Sequence, residues 1–374
     1  MSVSQEMNDF FNRSIEENAR VFLERYAAHK GKSMDVERHS NIMKMLAGKM
    51  IMSKKRIYLD TNFWIMLRNA EMGCGKTGSE ELLSICYDVS DKENVAFVTS
   101  QHVFLEVMKQ SSDSTRLATC NVMDRLTKGY TLLSLADRWM WERTMMVRKK
   151  FYGVEEDPAL YVWGRGSCMM GSFHVDPSLP PDSEIDKVAF QKAFFDAGWV
   201  SSFSMMVSII DQQKFHKDED ISSILNSNKM RSKEGWTTKR MLETYIWCTM
   251  NANQEHVDHT MCELKNMGID ISLESLKDTL ADIAASPDGT KIARSYLVFA
   301  SLSANATWDT QRNIKPNDNA DVHHATAAVA YCNIFMTESP LRRHLEINPW
   351  AISQKMGCTV ISSISEAIEL LKTV

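Results

Sequence analysis

With 374 residues, 44% of them hydrophobic and 24% charged, the chain has the composition of a folded globular protein with room for one large core or two smaller ones, which excludes wholesale disorder. A formal net charge of -5 supplies no global basic field, so binding a polyanion would need a local patch or a metal ion. The eight cysteines form no CxxC pair and no Cys/His knuckle; this excludes zinc-ribbon and thioredoxin-like sites and leaves buried thiols in a reducing compartment.

The chain opens on "MSVSQEMNDFFNRSIEENAR", where acids stand in place of the basic start and apolar run of a signal peptide. No stretch of about 18 apolar residues occurs anywhere, so the expectation is a cytoplasmic protein with no membrane partner. Apolar residues at helical spacing predict helices over 5–30 (Phe10, Phe11, Ile15, Phe22, Tyr26) and 34–52 (Val36, Ile42, Leu46, Met50). The triplet Lys54-Lys55-Arg56 then gives way to Ile57-Tyr58-Leu59, a short strand that stops on Asp60-Thr61-Asn62. Helical periodicity returns at once.

A second strand is predicted within 94–100, "NVAFVTS", with Thr99 or Ser100 capping the helix "QHVFLEVMKQ" that carries Glu106. A third lies in 130–135, followed by the helical "ADRWMWERTMMVRKKF", where Arg138, Arg143, Arg148, Lys149 and Lys150 interleave with Trp139 and Trp141. That helix either guides a nucleic-acid backbone or packs its tryptophans in a core. From 151 the alternation stops: a Gly- and Pro-containing loop leads into helices at 184–215, 236–267 and 273–285. The pattern resumes with a helix from about Asp318, a strand within 333–339, another within 358–363, and a closing helix.

Strands alternating with helices predict an α/β fold with a mostly parallel sheet covered on both faces. The segments are N-terminal helices over 1–53, a first core part over 54–150, a helical insertion over 151–304 and a second core part over 305–374. In such sheets ligands collect beyond the carboxyl ends of the strands. Asp60 stands at such an end, Glu106 leans over the same rim from its helix, and Asp321 lies in the first turn of the helix whose strand ends at Thr337-Glu338. Carboxylates gathered there repel one another unless a cation neutralises them, and hard divalent ions such as Mg²⁺ or Mn²⁺ prefer oxygen donors. His324, one turn beyond Asp321, is placed to touch a phosphate or to orient a carboxylate; Arg342 and Arg343 follow the last rim strand. "GCGKTGSE" at 73–80 lacks the spacing of a phosphate loop.

On "IYLDTN", "VTSQHVFLEV" and "DVHHATAAVAYCNIFMTES" the chain resembles the PIN-like domains, metal-dependent nucleases with a three-layer α/β/α core. The resemblance covers roughly 54–150 and 305–374. It implies that Asp60, Glu106 and Asp321 are catalytic metal ligands for Mg²⁺ or Mn²⁺, with Glu338 and Asp318 as further ligands and Thr61 or Asn62 fixing Asp60. Asn62, His324, Thr337, Arg342 and Arg343 would then meet the substrate. The implied activity is endonucleolytic hydrolysis of phosphodiesters in single-stranded or structured RNA, with homo-oligomers or a regulatory protein as additional partners. Ser339 stands where family members often carry an acid. Two alternatives follow: a non-catalytic scaffold that binds RNA or protein, and a DNA-directed nuclease in genome defence.

Overall fold

β-branched and aromatic residues dominate the short runs that become strands, and in the computed structural model all four of the inner runs are buried along most of their length. The structure describes residues 3–171, 186–210, 238–251, 258, 260–261, 264–265, 268–308, 315, 318–348 and 350–374. Helices α1 (Val3–His29) and α2 (Val36–Met52) precede β1 (Lys55–Leu59), α3 (Thr61–Glu71), α4 (Ser79–Ser90), β2 (Val95–Val98), α5 (Gln101–Met108), α6 (Asp113–Thr127), β3 (Tyr130–Leu132) and α7 (Leu135–Tyr152). There follow β4 (Trp163–Arg165), α8 (Lys187–Val200), α9 (Phe203–Ile209), α10 (Thr238–Asn251), α11 (Leu273–Ala285), α12 (Gly289–Ile292) and α13 (Arg294–Trp308). The chain closes with α14 (Asp318–Tyr331), β5 (Ile334–Met336), α15 (Ser339–Glu346), α16 (Ile352–Met356), β6 (Thr359–Ile361) and α17 (Ile364–Lys372).

The central sheet runs β2-β1-β5-β6, all parallel. A single parallel bridge, Thr99 to Thr131, attaches the antiparallel pair β3-β4 beside β2. From β1 the chain crosses to β2 in one direction, and from β5 to β6 in the other. Right-handed crossovers therefore place the two helix layers on opposite faces: α3, α4 and α6 pack together on one, and α7, α13, α14 and α16 on the other. The order of strands reverses between β1 and β5, and the crevice at their carboxyl ends is the place where open α/β sheets take their ligands.

Every expected strand of the core is present; β1 extends back over Lys55 and Arg56, the other four are shorter than their sequence runs, and the structure adds one. Trp163–Arg165, expected as loop, forms β4 because Leu132 and Thr131 offer it an unpaired edge. The helix expected over 184–215 breaks at Ser201-Ser202, where the Ser202 hydroxyl accepts from the Met205 amide and starts α9; residues 211–215 lie outside the described ones. The expected helix over 236–267 appears as α10, and several residues beyond Asn251 lie outside the described ones. The boundary expected at 304 lies inside α13, which packs on α7 and α14.

For the basic helix α7 the structure decides between the two readings in favour of the core. Arg138 and Arg143 are each 1% exposed and Trp139 is buried, so they line the core and present no track to a nucleic-acid backbone. Arg148 pairs with Glu156, and Lys149 with Glu155 and Asp288. Arg138 donates to the carbonyls of Leu133 at 3.2 Å and Thr326 at 3.1 Å. Beside it, fully buried Glu142 accepts from the backbone amides of Ser295 at 2.7 Å and Tyr296 at 3.3 Å, the first turn of α13, and from the Tyr331 hydroxyl. A helix start has orphan amides and a partial positive charge; Glu142 satisfies both from another helix. Burial pushes its carboxyl up, against these hydrogen bonds. The Glu142→Ala variant should lose about 3 kcal/mol of stability in urea denaturation, the scale for stripping one member from a buried charged network. A loss below about 1 kcal/mol would deny the network that role.

Candidate active site

Asp60 follows the last residue of β1 and caps α3, its Oδ1 accepting from the Phe63 amide at 3.1 Å. The residue is 6% exposed, so most of the carboxylate is withdrawn from water. Burial raises its pKa, while the adjacent Thr337 hydroxyl, His324 and the Phe63 amide act the other way. Thr337, at the end of β5 and itself buried, lies against this carboxyl without a hydrogen bond of ordinary geometry.

Glu106 and Asp321 reach the same rim from α5 and α14. The side chain that ties them together is His324, 3% exposed and one turn after Asp321. Its Nε2 lies 2.9 Å from Glu106 Oε2, and its Nδ1 lies 3.0 Å from the Tyr58 hydroxyl, which in turn meets Ser100 Oγ at 2.7 Å. Burial disfavours the imidazolium, but the hydrogen bond to Glu106 and the charges of Glu106, Asp60 and Asp321 outweigh it and hold the pKa above the ordinary value. When the ring is protonated both nitrogens donate, Nε2 to Glu106 and Nδ1 to Tyr58. Glu106 also accepts from the Thr61 hydroxyl. Burial opposes its ionisation, and His324 with Thr61 more than compensates, so its carboxyl sits below the usual range.

One imidazolium does not balance the acids around it. Asp321 is pushed up to about 6, first by burial and then by Asp318, Asp60 and Glu338, against the pull of His324. Glu338, exposed at the end of β5, accepts from Asn62 Nδ2 at 2.8 Å. Asp318 accepts from the Lys315 amide at 3.1 Å; it therefore secures the turn before α14 while adding its charge to Asp321. Among the described residues no three ligand atoms of these acids lie within 4.8 Å of one another. Glu106 is drawn aside onto Thr61 and His324, leaving the set wider than a dehydrated ion requires.

Glu338, alone of the acids, lines a cleft of about 380 Å³ together with Asn62, Asn69, Lys76, Thr337 and Ser362 among others. Of the residues expected to meet substrate, Asn62 and Thr337 line it. His324 does not: it is buried among the acids and acts by positioning them. Arg342 is also turned from that role, because Glu366 takes its guanidinium at 2.9 Å and Glu346 at 3.2 Å. Arg343 is exposed on α15, its Nε donating to the Ser339 carbonyl at 3.4 Å. Lys54, Lys55 and Arg56 lie at the far end of β1; Arg56 is spent on the carbonyls of Tyr331, Met52 and Lys54.

Sequence reasoning passed over Tyr58 and Ser100, which fix the His324 ring. The signal was there: a tyrosine in a strand buried on both faces must find a partner for its hydroxyl. His323 stacks on His102 with ring centres 3.9 Å apart. Compared with protein-family models, with curated proteins and with solved structures, the chain has no significant match. No described helix is long and apolar enough to cross a membrane.

Asp321 carries a pH dependence with a definite sign. The unfolded chain gives up this proton near 3.8 and the folded chain at about 6, so between these values the folded state holds the extra proton. In chelator, stability should therefore fall as pH rises from about 4 to about 6 and stay reduced above it. The neutral isostere Asp321→Asn should remove that fall and gain ~1 kcal/mol at pH 7, a figure discounted for partial exposure. Urea titrations of both proteins across this range would measure it; parallel curves would deny that Asp321 is held out of its ordinary titration.

Proposed function

We propose that the chain is a divalent-metal-dependent endonuclease with a PIN-like core, acting on RNA. The observation that carries the reading is the crowding of Asp60, Asp321, Glu106 and Glu338 at the strand-order reversal, around a single histidine, with Asp321 pushed up to about 6. The donor set is all oxygen, and its excess negative charge suits Mg²⁺ or Mn²⁺. A hydrated ion reaches a wider ring of carboxylates than a bare one, in keeping with the spread of these side chains. Asp60, Glu106 and Asp321 would hold it, with Glu338 and Asp318 at the margin. When bound, such an ion supplies an activated water and charge stabilisation for phosphodiester hydrolysis.

The chain's own residues do the rest. Asp60 is locked by its cap to α3 and so meets a ligand without reorganising. His324 holds Glu106 at a fixed angle and keeps it ionised. Asn62 steadies Glu338 at the mouth of the cleft, where Lys76 and the serine and asparagine side chains offer hydrogen bonds to a sugar-phosphate strand. The preference for RNA over DNA comes from the resemblance.

A non-catalytic PIN-like scaffold is the reading favoured by one observation, the engagement of Glu106 by His324 and Thr61 instead of a convergent ligand set. Cleavage of end-labelled single-stranded RNA and matched DNA, with Mn²⁺, with Mg²⁺ and with chelator, separates them. The nuclease reading expects cleavage of RNA that requires metal, reduced at least about 100-fold in Asp60→Asn with the fold retained. RNA binding that needs no cation, without cleavage, would favour the scaffold, and cleavage of DNA alone would redirect the substrate class. Cleavage by Asp60→Asn equal to wild type would overturn the assignment.

A further inference from the structure

A second cluster, on other elements than the rim acids, joins three helices. His29 is the last residue of α1, His39 lies in the first turns of α2, and Asp196 is on α8. His29 Nε2 lies 2.8 Å from Asp196 Oδ2, and His39 Nε2 lies 2.7 Å from Asp196 Oδ1. The two rings meet edge to face with centres 4.7 Å apart. The side chains are 13%, 14% and 8% exposed. Among the described residues this is the one group of His, Cys, Asp or Glu side chains whose three ligand atoms all lie within 4.8 Å of one another.

We propose that His29, His39 and Asp196 form a binding site for a transition-metal ion of the Zn²⁺ class, which staples the N-terminal helices to α8. Two imidazoles and a carboxylate are the donor chemistry that such ions select over Mg²⁺ or Ca²⁺. Both rings turn the same nitrogen, Nε2, toward the Asp196 carboxylate, each onto a different oxygen. Two imidazoles from separate helices converge on one carboxylate, and the three ligand atoms lie within 4.8 Å of one another.

The surroundings suit a structural role. The turn between α1 and α2 is pinned to the start and first turns of α8 at two points: Gly31 donates its amide to Asp186 at 3.2 Å, and Lys192 Nζ donates to the Met34 carbonyl at 2.7 Å. Phe22 meets Phe190 edge to face, and Phe195 packs against the His39 ring. These contacts hold the donors in place before any ion arrives and limit the access of water, as structural sites do. The segment that bears Asp196 is thereby fastened to helices that precede the first strand.

The experiment uses the full chain stripped with chelator, with Zn²⁺ titrated against a chromophoric competitor and Tm recorded in parallel. Wild type should bind one Zn²⁺ at this site and gain about 4 °C at a roughly hundredfold excess over Kd. Asp60→Asn should bind as wild type, which separates this site from the rim acids. His39→Ala and Asp196→Asn should weaken binding by at least about tenfold and lose the gain in Tm. His39→Cys, which exchanges one ligand for another, should retain Zn²⁺ and show a thiolate-to-cobalt absorption band with Co²⁺. That band guards against variants that merely fail to fold. Zn²⁺ binding undiminished in His39→Ala and Asp196→Asn, no binding to wild type, or a His39→Cys protein without the cobalt band would overturn the proposal.

Discussion

The rim depends on one buried histidine. His324 sits among Glu106, Asp60 and Asp321 and is held from behind by Tyr58. An imidazolium without partners would be expelled from such a place; three carboxylates make it stable there, and it in turn makes their gathering tolerable. The arithmetic is incomplete by design of the charges: one cation cannot satisfy Asp60, Glu106, Asp321 and Glu338, and the deficit appears on Asp321. On the proposed reading, a cation from solution would make up this deficit.

The fold explains why these groups meet. β1 and β5 are neighbours, with the chain leaving them in opposite directions, so both carboxyl ends open onto the same crevice. Asp60 and Thr337 follow those two strands directly. Glu106 enters from α5 after β2 on one side, and Asp321 from α14, which precedes β5. Four segments well separated in sequence thus reach one rim through the register of a parallel sheet, a placement no local pattern could produce. The helical layers do the holding, and Glu142 capping α13 from α7 is the clearest case of one layer locking another.

Much of this was legible in the sequence because parallel strands buried on both faces leave a plain mark, an apolar run that stops on a polar residue. Ile57-Tyr58-Leu59 before Asp60 and the run before Thr337-Glu338 carry it, and so the acids could be placed on the rim. The rest depended on long-range partners. The sequence left the helix of Arg138 and Arg143 open between a nucleic-acid track and the core, because the carbonyls that receive Arg138 come from residues 133 and 326. β4 is three residues among glycines and exists only because β3 offers it an edge. Arg342 looked free for phosphate until Glu366 was seen beside it. His29, His39 and Asp196 are separated by more than 150 residues between the helix pair and α8, and no spacing rule joins them.

The most direct test of the central claim is the binding of Mn²⁺ to the chelator-stripped protein, followed by electron paramagnetic resonance, in wild type and in Asp321→Asn, with Asp196→Asn as the control for the second cluster. The account expects wild type and the control to take up the ion alike and Asp321→Asn to bind at least about tenfold more weakly. Equal uptake by Asp321→Asn would mean that the buried charge at the rim is not a cation site.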